Sequence, residues 1–160
     1  EYIKTTYRLP LSPEEVMVEI NDMIRTYYQN EVPLKRGAYA CLSALHQRGI
    51  KMTVASLSQH DMIEAAFSRL GILNLFSQIF TSAEIGTGKD KPDIFYAAQK
   101  HMQTSVADTW VFEDGLYAIK TARAAGFHTC GVFDRSSASD WDDICALCDV
   151  HVVSLEDFPL

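Results

Sequence analysis

The sequence lacks any excess of positive charge: Lys and Arg number 14 against 21 Asp and Glu, for a net charge of −7. A chain so balanced offers no general basic surface for a polyanion, so nucleic acid is excluded as a partner. Apolar runs approaching the roughly 20 residues that span a bilayer are absent, and residues 1–20 contain no signal-peptide core. The expectation is a soluble chain of the cytoplasm with no membrane partner. Cysteine is scarce, with Cys41, Cys130, Cys145 and Cys148 only. Without an export signal these thiols are expected to stay reduced. The C-x-x-C of Cys145 and Cys148 has no second ligand pair at zinc spacing and does not follow a strand, which predicts two buried thiols on one helical face. Internal repeats and low-complexity segments are absent too.

What remains is globular in composition. Apolar residues make up 48% and charged residues 22% of 160 residues, enough for one domain with a sizeable core. The acidic balance leaves phosphorylated ligands open, because local lysines, backbone N–H groups and metal ions capture anions irrespective of total charge.

Ser12-Pro13-Glu14-Glu15 predicts a helix start, with a Ser cap, Pro at the first position and Glu three residues on. Val16, Ile20, Met23, Ile24 and Tyr27 then recur at helical spacing to about Gln29. After a linker over Pro33–Gly37 and a second helix stopped by Gly49, strands alternate with helices. Strands are predicted over Ile50–Ala55, Gln78–Thr81, Thr109–Phe112, His128–Phe133 and Val150–Val153. Helices are predicted over Gln59–Leu70, Pro92–His101 and Tyr117–Ala125, with one more capped by Ser139. The alternation predicts an α/β fold with a doubly wound parallel sheet, and Thr109–Phe112 reads as a strand buried on both faces.

Ligands of such sheets bind beyond the carboxyl ends of the strands. Those ends carry Ser56, the stretch Glu84–Lys89, the pair Glu113-Asp114, and Asp134. A hydroxyl, a lysine and adjacent carboxylates converging on one crevice suit phosphate chemistry: the hydroxyl donates, the lysine neutralises, and the carboxylates hold Mg²⁺. Taken singly, Ser56 also reads as turn chemistry and Lys89 as a solvated loop lysine, and Gly86–Lys91 is not a Walker loop. Glu113-Asp114 is the sharpest signal, since carboxylates closing an apolar strand need solvent, a partner or a cation.

Val54-Ala55-Ser56, Gly88-Lys89-Asp90-Lys91-Pro92-Asp93-Ile94-Phe95, and Val111-Phe112-Glu113-Asp114-Gly115 with Ala124-Ala125-Gly126 resemble the second, third and fourth motifs of the haloacid dehalogenase-like hydrolases. The nearest branch has a helical cap and includes phosphoglycolate phosphatase-like enzymes and beta-phosphoglucomutase. The resemblance implies a Mg²⁺-dependent phosphomonoester hydrolase of a small phosphorylated metabolite, working through an aspartyl-phosphate. It implies that Ser56 and the Leu57 amide hold the phosphoryl group, that Lys89 stabilises its charge, and that Asp114 with Glu113 binds Mg²⁺. Gly115 stands where many relatives have serine.

The departure is at the front, where no apolar strand followed by D-x-D precedes Ser12. By resemblance, residues 1–32 are the C-terminal part of the helical cap. Residues 33–160 are then a Rossmann-like core without its first strand, nucleophile or general acid/base aspartate. Three readings follow: a hydrolase of which this chain is an inactive fragment, a non-catalytic short form that binds phosphate ligands or a partner, and a sugar-phosphate mutase. The family's first strand lies between those ending at Ser56 and Glu113. These two strands are therefore expected not to pair with each other, but to flank a strand from an upstream segment or another chain.

Overall fold

Ser12 caps the first helix as its spacing predicts. Its hydroxyl accepts from the Glu15 N–H at 3.1 Å while the Glu15 carboxylate accepts from the Ser12 N–H at 2.7 Å, satisfying two of the orphan donors at the start of α1 (Pro13–Asn30). The structure, a computed structural model, describes residues 12–160; the part of the expected cap segment before Ser12 lies outside them. Only Val16 of the predicted apolar stripe is buried, and Met23, Ile24 and Tyr27 are exposed. The reason is that α1 is held along one side: Arg25 pairs with Asp61 and donates to Gln59 at 2.8 Å, and Tyr28 Oη meets Ser58 Oγ at 3.1 Å.

The order of elements then follows the predicted alternation. Helix α2 (Ala38–Gln47) precedes β1 (Val54–Ser56), α3 (His60–Arg69), β2 (Ile79–Thr81), the short α4 (Ser82–Ile85) and α5 (Asp93–Met102). Next come β3 (Trp110–Glu113), α6 (Leu116–Ala124), β4 (His128–Val132), α7 (Trp141–Leu147) and β5 (Val150–Val152). Every strand pairing is parallel, in the orders β1-β2 and β3-β4-β5. Among the described residues β1 and β3 do not pair, and no strand lies between them. Yet the two sheets share one core: Ile94 and Phe95 of α5 and Ala118 and Ala122 of α6 pack with Ala55, Phe80 and Val111. A second cluster joins Cys130, Val132 and Val152 to Leu155 and Phe158.

Local expectations are corrected in four places. The first strand begins at Val54 rather than Ile50, because ladder pairing with β2 starts there. The strand at Thr109–Phe112 is not buried on both faces: Trp110 is 40% and Phe112 37% exposed. On their face His128 stacks on Trp110 at 4.9 Å and Phe158 lies 4.9 Å from Phe112, which leaves both rings partly open. Ser139 does not cap a helix. It lies inside a 3₁₀ segment, Arg135–Asp140, begun by the Asp134 side chain and broken at Ser137. Cys145 and Cys148 are only half-buried, and Cys148 sits past the end of α7 in extended backbone, so they do not share a helical face.

Candidate active site

The carboxyl ends of β1, β3 and β4, with the loop after β2, open onto a cleft of about 560 Å³. Ser56, Leu57, Lys89, Glu113 and Asp114, the five residues singled out in the sequence, all line it. After β1 the chain turns tightly, with the Ser58 N–H donating to Ser56 Oγ at 3.0 Å. After β2 a Thr81–Glu84 capping box starts α4, and Gly86 ends it in the left-handed region at φ 84°. The Thr81 hydroxyl, and then His60, hold the Glu84 carboxyl below its ordinary range. Glu84 itself faces His60 Nδ1 at 2.9 Å rather than the cleft.

The loop beyond Gly86 brings the Lys89 ammonium onto Glu113 Oε1. Both side chains are nearly buried, at 12% and 8% exposure. The other Glu113 oxygen accepts from the N–H groups of Asp114, at 3.1 Å, and Gly115, at 3.5 Å. Glu113 thereby holds the turn that leads into α6, whose N-cap Gly115 supplies no side chain.

Asp114 is more open, and its carboxylate meets the ammonium of Lys35 at 3.5 Å. The same ammonium contacts Asp134 and donates to the Phe133 carbonyl at 3.2 Å. Lys35, and then the Ser136 hydroxyl and N–H, hold the Asp134 carboxyl far below the usual carboxylate range. Sequence reading took Pro33–Gly37 for a linker and missed Lys35. Its partners lie about 80 to 100 positions on, and no local pattern signals them.

Tyr117, Lys120, Ser136, Ser137 and Asp140 complete the rim. Burial, followed by the charges of Glu113, Asp114 and Asp90, raises the Tyr117 phenol above its ordinary pKa. A sequence signal for Tyr117 and Lys120 existed: they stand three and six residues after Asp114, at the spacing of one helical face opening at the cleft.

Residues 4–126 match the model of the haloacid dehalogenase-like hydrolases. The chain belongs to this family. Among its curated relatives, the bifunctional riboflavin kinase/FMN phosphatase of Arabidopsis thaliana is 31% identical over 121 residues, covering 75% of this chain and 32% of that protein. The beta-phosphoglucomutase of Bacillus subtilis is 32% identical over 91 residues, 57% of this chain and 39% of its own length. The chain thus spans well under two thirds of the curated relatives it matches. Solved haloacid dehalogenase-like folds superpose on it. A conserved protein of Agrobacterium tumefaciens gives a TM-score of 0.78 at 21% identity, covering 98% of this chain and 71% of that one. CbbY from Rhodobacter sphaeroides, in complex with phosphate, gives 0.79 at 18% identity over 93% of this chain and 67% of its own. Phosphatases and phosphoglucomutases are the branch in which its relatives lie. Among the described residues no helix is long and apolar enough to cross a membrane.

Proposed function

We propose that this chain forms the phosphate-binding and cation-binding half of a Mg²⁺-dependent hydrolase of small phosphorylated metabolites. The observation that carries the reading is the gathering of Ser56, Leu57, Lys89 and Asp114 around one cleft, with Lys89 fixed against Glu113. Ser56 Oγ and the Leu57 N–H donate to the phosphoryl oxygens, and Lys89 offsets charge that grows on them in the transition state. Its ion pair with Glu113 keeps a long flexible side chain in one place.

The donor chemistry suits Mg²⁺. No group of three or more acidic, His or Cys side chains gathers among the described residues. Mg²⁺ needs only one or two carboxylates beside water and substrate phosphate, and Asp114 with Glu113 supplies them. When bound, the ion neutralises phosphoryl charge. The acceptor of the phosphoryl group is an aspartate on a strand seated between β1 and β3, giving an aspartyl-phosphate. That strand comes from an upstream segment of the same polypeptide or from another chain. Helix α1 is the last part of a cap over the cleft, and residues 33–160 are the core. The similarity to a beta-phosphoglucomutase supports a mutase as the second reading.

A full-length protein carrying D-x-D on the inserted strand is expected to release phosphate from small phosphomonoesters with Mg²⁺, and Asp114→Ala to abolish turnover. Transfer of the phosphoryl group within a sugar phosphate, without release, would favour the mutase. These 160 residues alone are expected to be inactive. A full-length protein that binds phosphomonoesters and never turns them over would establish the non-catalytic binding form instead.

A further inference from the structure

Lys35 is an unusual lysine for a linker. Arg36, next to it, is held at both ends: its carbonyl accepts from the Leu155 N–H at 3.2 Å and the Ser154 hydroxyl at 3.3 Å, and its Nε pairs with Glu156 at 2.8 Å. Gly37 follows in the left-handed region at φ 77°, so close to the chain that a Cβ there would lie 2.3 Å from the Glu156 nitrogen. Only glycine fits, and the backbone carrying Lys35 is pinned.

The ammonium at the end of this fixed stem has one strong seat and one weaker contact. The strong seat is Asp134, oriented by the Ser136 N–H at 2.9 Å and the Ser136 hydroxyl at 2.6 Å, with the Phe133 carbonyl completing it at 3.2 Å. The weaker contact is Asp114, at 3.5 Å. Among the described residues Lys35 is the one cation paired with Asp114.

We infer that Lys35 is the resident cation of the Asp114 carboxylate: it neutralises Asp114 when no metal is bound, and by its charge sets how tightly a divalent cation binds there. The inference rests on the reading of Asp114 as a Mg²⁺ ligand. A divalent ion on Asp114 lies within a few ångströms of the ammonium, which stays on Asp134 because its other two partners hold it there. Like charges that close repel, and the half-exposed setting keeps the effect near the lower end of its range. The affinity of the site is thereby held down, and the ion comes and goes without leaving Asp114 and Asp134 as two uncompensated neighbours.

Mn²⁺ binding to the full-length protein, read from the electron paramagnetic resonance signal of the free ion, tests this without any turnover. Lys35→Met is expected to bind Mn²⁺ on the order of tenfold tighter, Lys35→Arg about as the parent does, and Asp114→Asn to remove binding in both the parent and the Lys35→Met background. Unchanged or weaker binding in Lys35→Met, with Asp114→Asn still removing it, overturns the role of Lys35 alone. Mn²⁺ binding that survives Asp114→Asn in the parent overturns the metal assignment on which the inference stands. Should Lys35→Met fail to fold, Lys35→Gln makes the same comparison.

Discussion

The Lys89 ammonium rests on the Glu113 carboxylate, joining the loop after β2 to the end of β3 across two sheets that share no hydrogen-bonded ladder. Both side chains are nearly buried at the edge of the cleft, so neither charge is freely solvated. Removing one partner leaves the other buried and uncompensated, at about 3–5 kcal/mol. Lys89→Met and Glu113→Gln are each expected to lose stability of that order in urea unfolding. The double variant should lose less than the two losses added together, because no lone charge remains. Strict additivity would show that the pair is not coupled.

Gly37 and Gly49 offer a controlled comparison. Both have positive φ, 77° and 73°, but a Cβ at Gly37 meets Glu156 while one at Gly49 meets nothing within 4 Å. Gly49→Ala is expected to lower stability by about 1–2 kcal/mol, from backbone conformation alone. Gly37→Ala adds a backbone collision and should cost clearly more, together with a displaced 154–157 segment. Thermal unfolding of the two variants measures the difference, and equal losses would show that Gly37 is not held against Glu156.

Asp149 predicts an acid-side dependence. Burial raises its carboxyl, but the Thr129 N–H, Arg123 and His128 outweigh it and bring the pKa down to about 2 from an ordinary 3.8. A carboxyl depressed on folding stabilises the fold above its unfolded pKa, and that contribution fades as pH falls through the folded value. The stability difference between the parent and Asp149→Asn should therefore be full above about pH 4 and shrink toward pH 2. Melting temperatures of both proteins across that range test it, and a gap that widens with acid would refute the assignment.

Ser56→Ala probes the phosphate-binding turn. The hydroxyl accepts from the Ser58 N–H and faces the cleft, so on the hydrolase reading proposed above its loss should lower kcat/KM for phosphomonoesters by about 100-fold while the melting temperature barely moves. Intact kinetics would remove Ser56 from the site.

Much of this was legible in the sequence because short-range rules act where its signals lie. The Ser12 capping box, the glycine stops, and the alternation that yields five parallel strands depend on neighbours within a few residues. So does the placement of Ser56, Glu113 and Asp114 at strand ends and of Lys89 in the loop that follows β2, since parallel crossovers bring those ends to one side. The misses concern partners distant in sequence. Trp110, Val111 and Phe112 run apolar on both faces like a buried strand, but the burial of Trp110 and Phe112 depends on what lies across from them. Lys35 owes its role to Asp114 and Asp134, and Met23 and Ile24 stay exposed because, among the described residues, α1 has a packed neighbour on one side only. Ser139 looks like a cap, yet the Asp134 side chain, five residues earlier, already captures the turn.

The segment Ser154–Phe158 touches both the Arg36 carbonyl and the aromatic face of β3, where Phe158 lies 4.9 Å from Phe112 and 6.5 Å from Trp110. It works as a strap whose two anchor points belong to different parts of the fold. A proteolytic nick after Val153 would therefore reach two places at once: it would free the stem of Lys35 and bare two large aromatic rings.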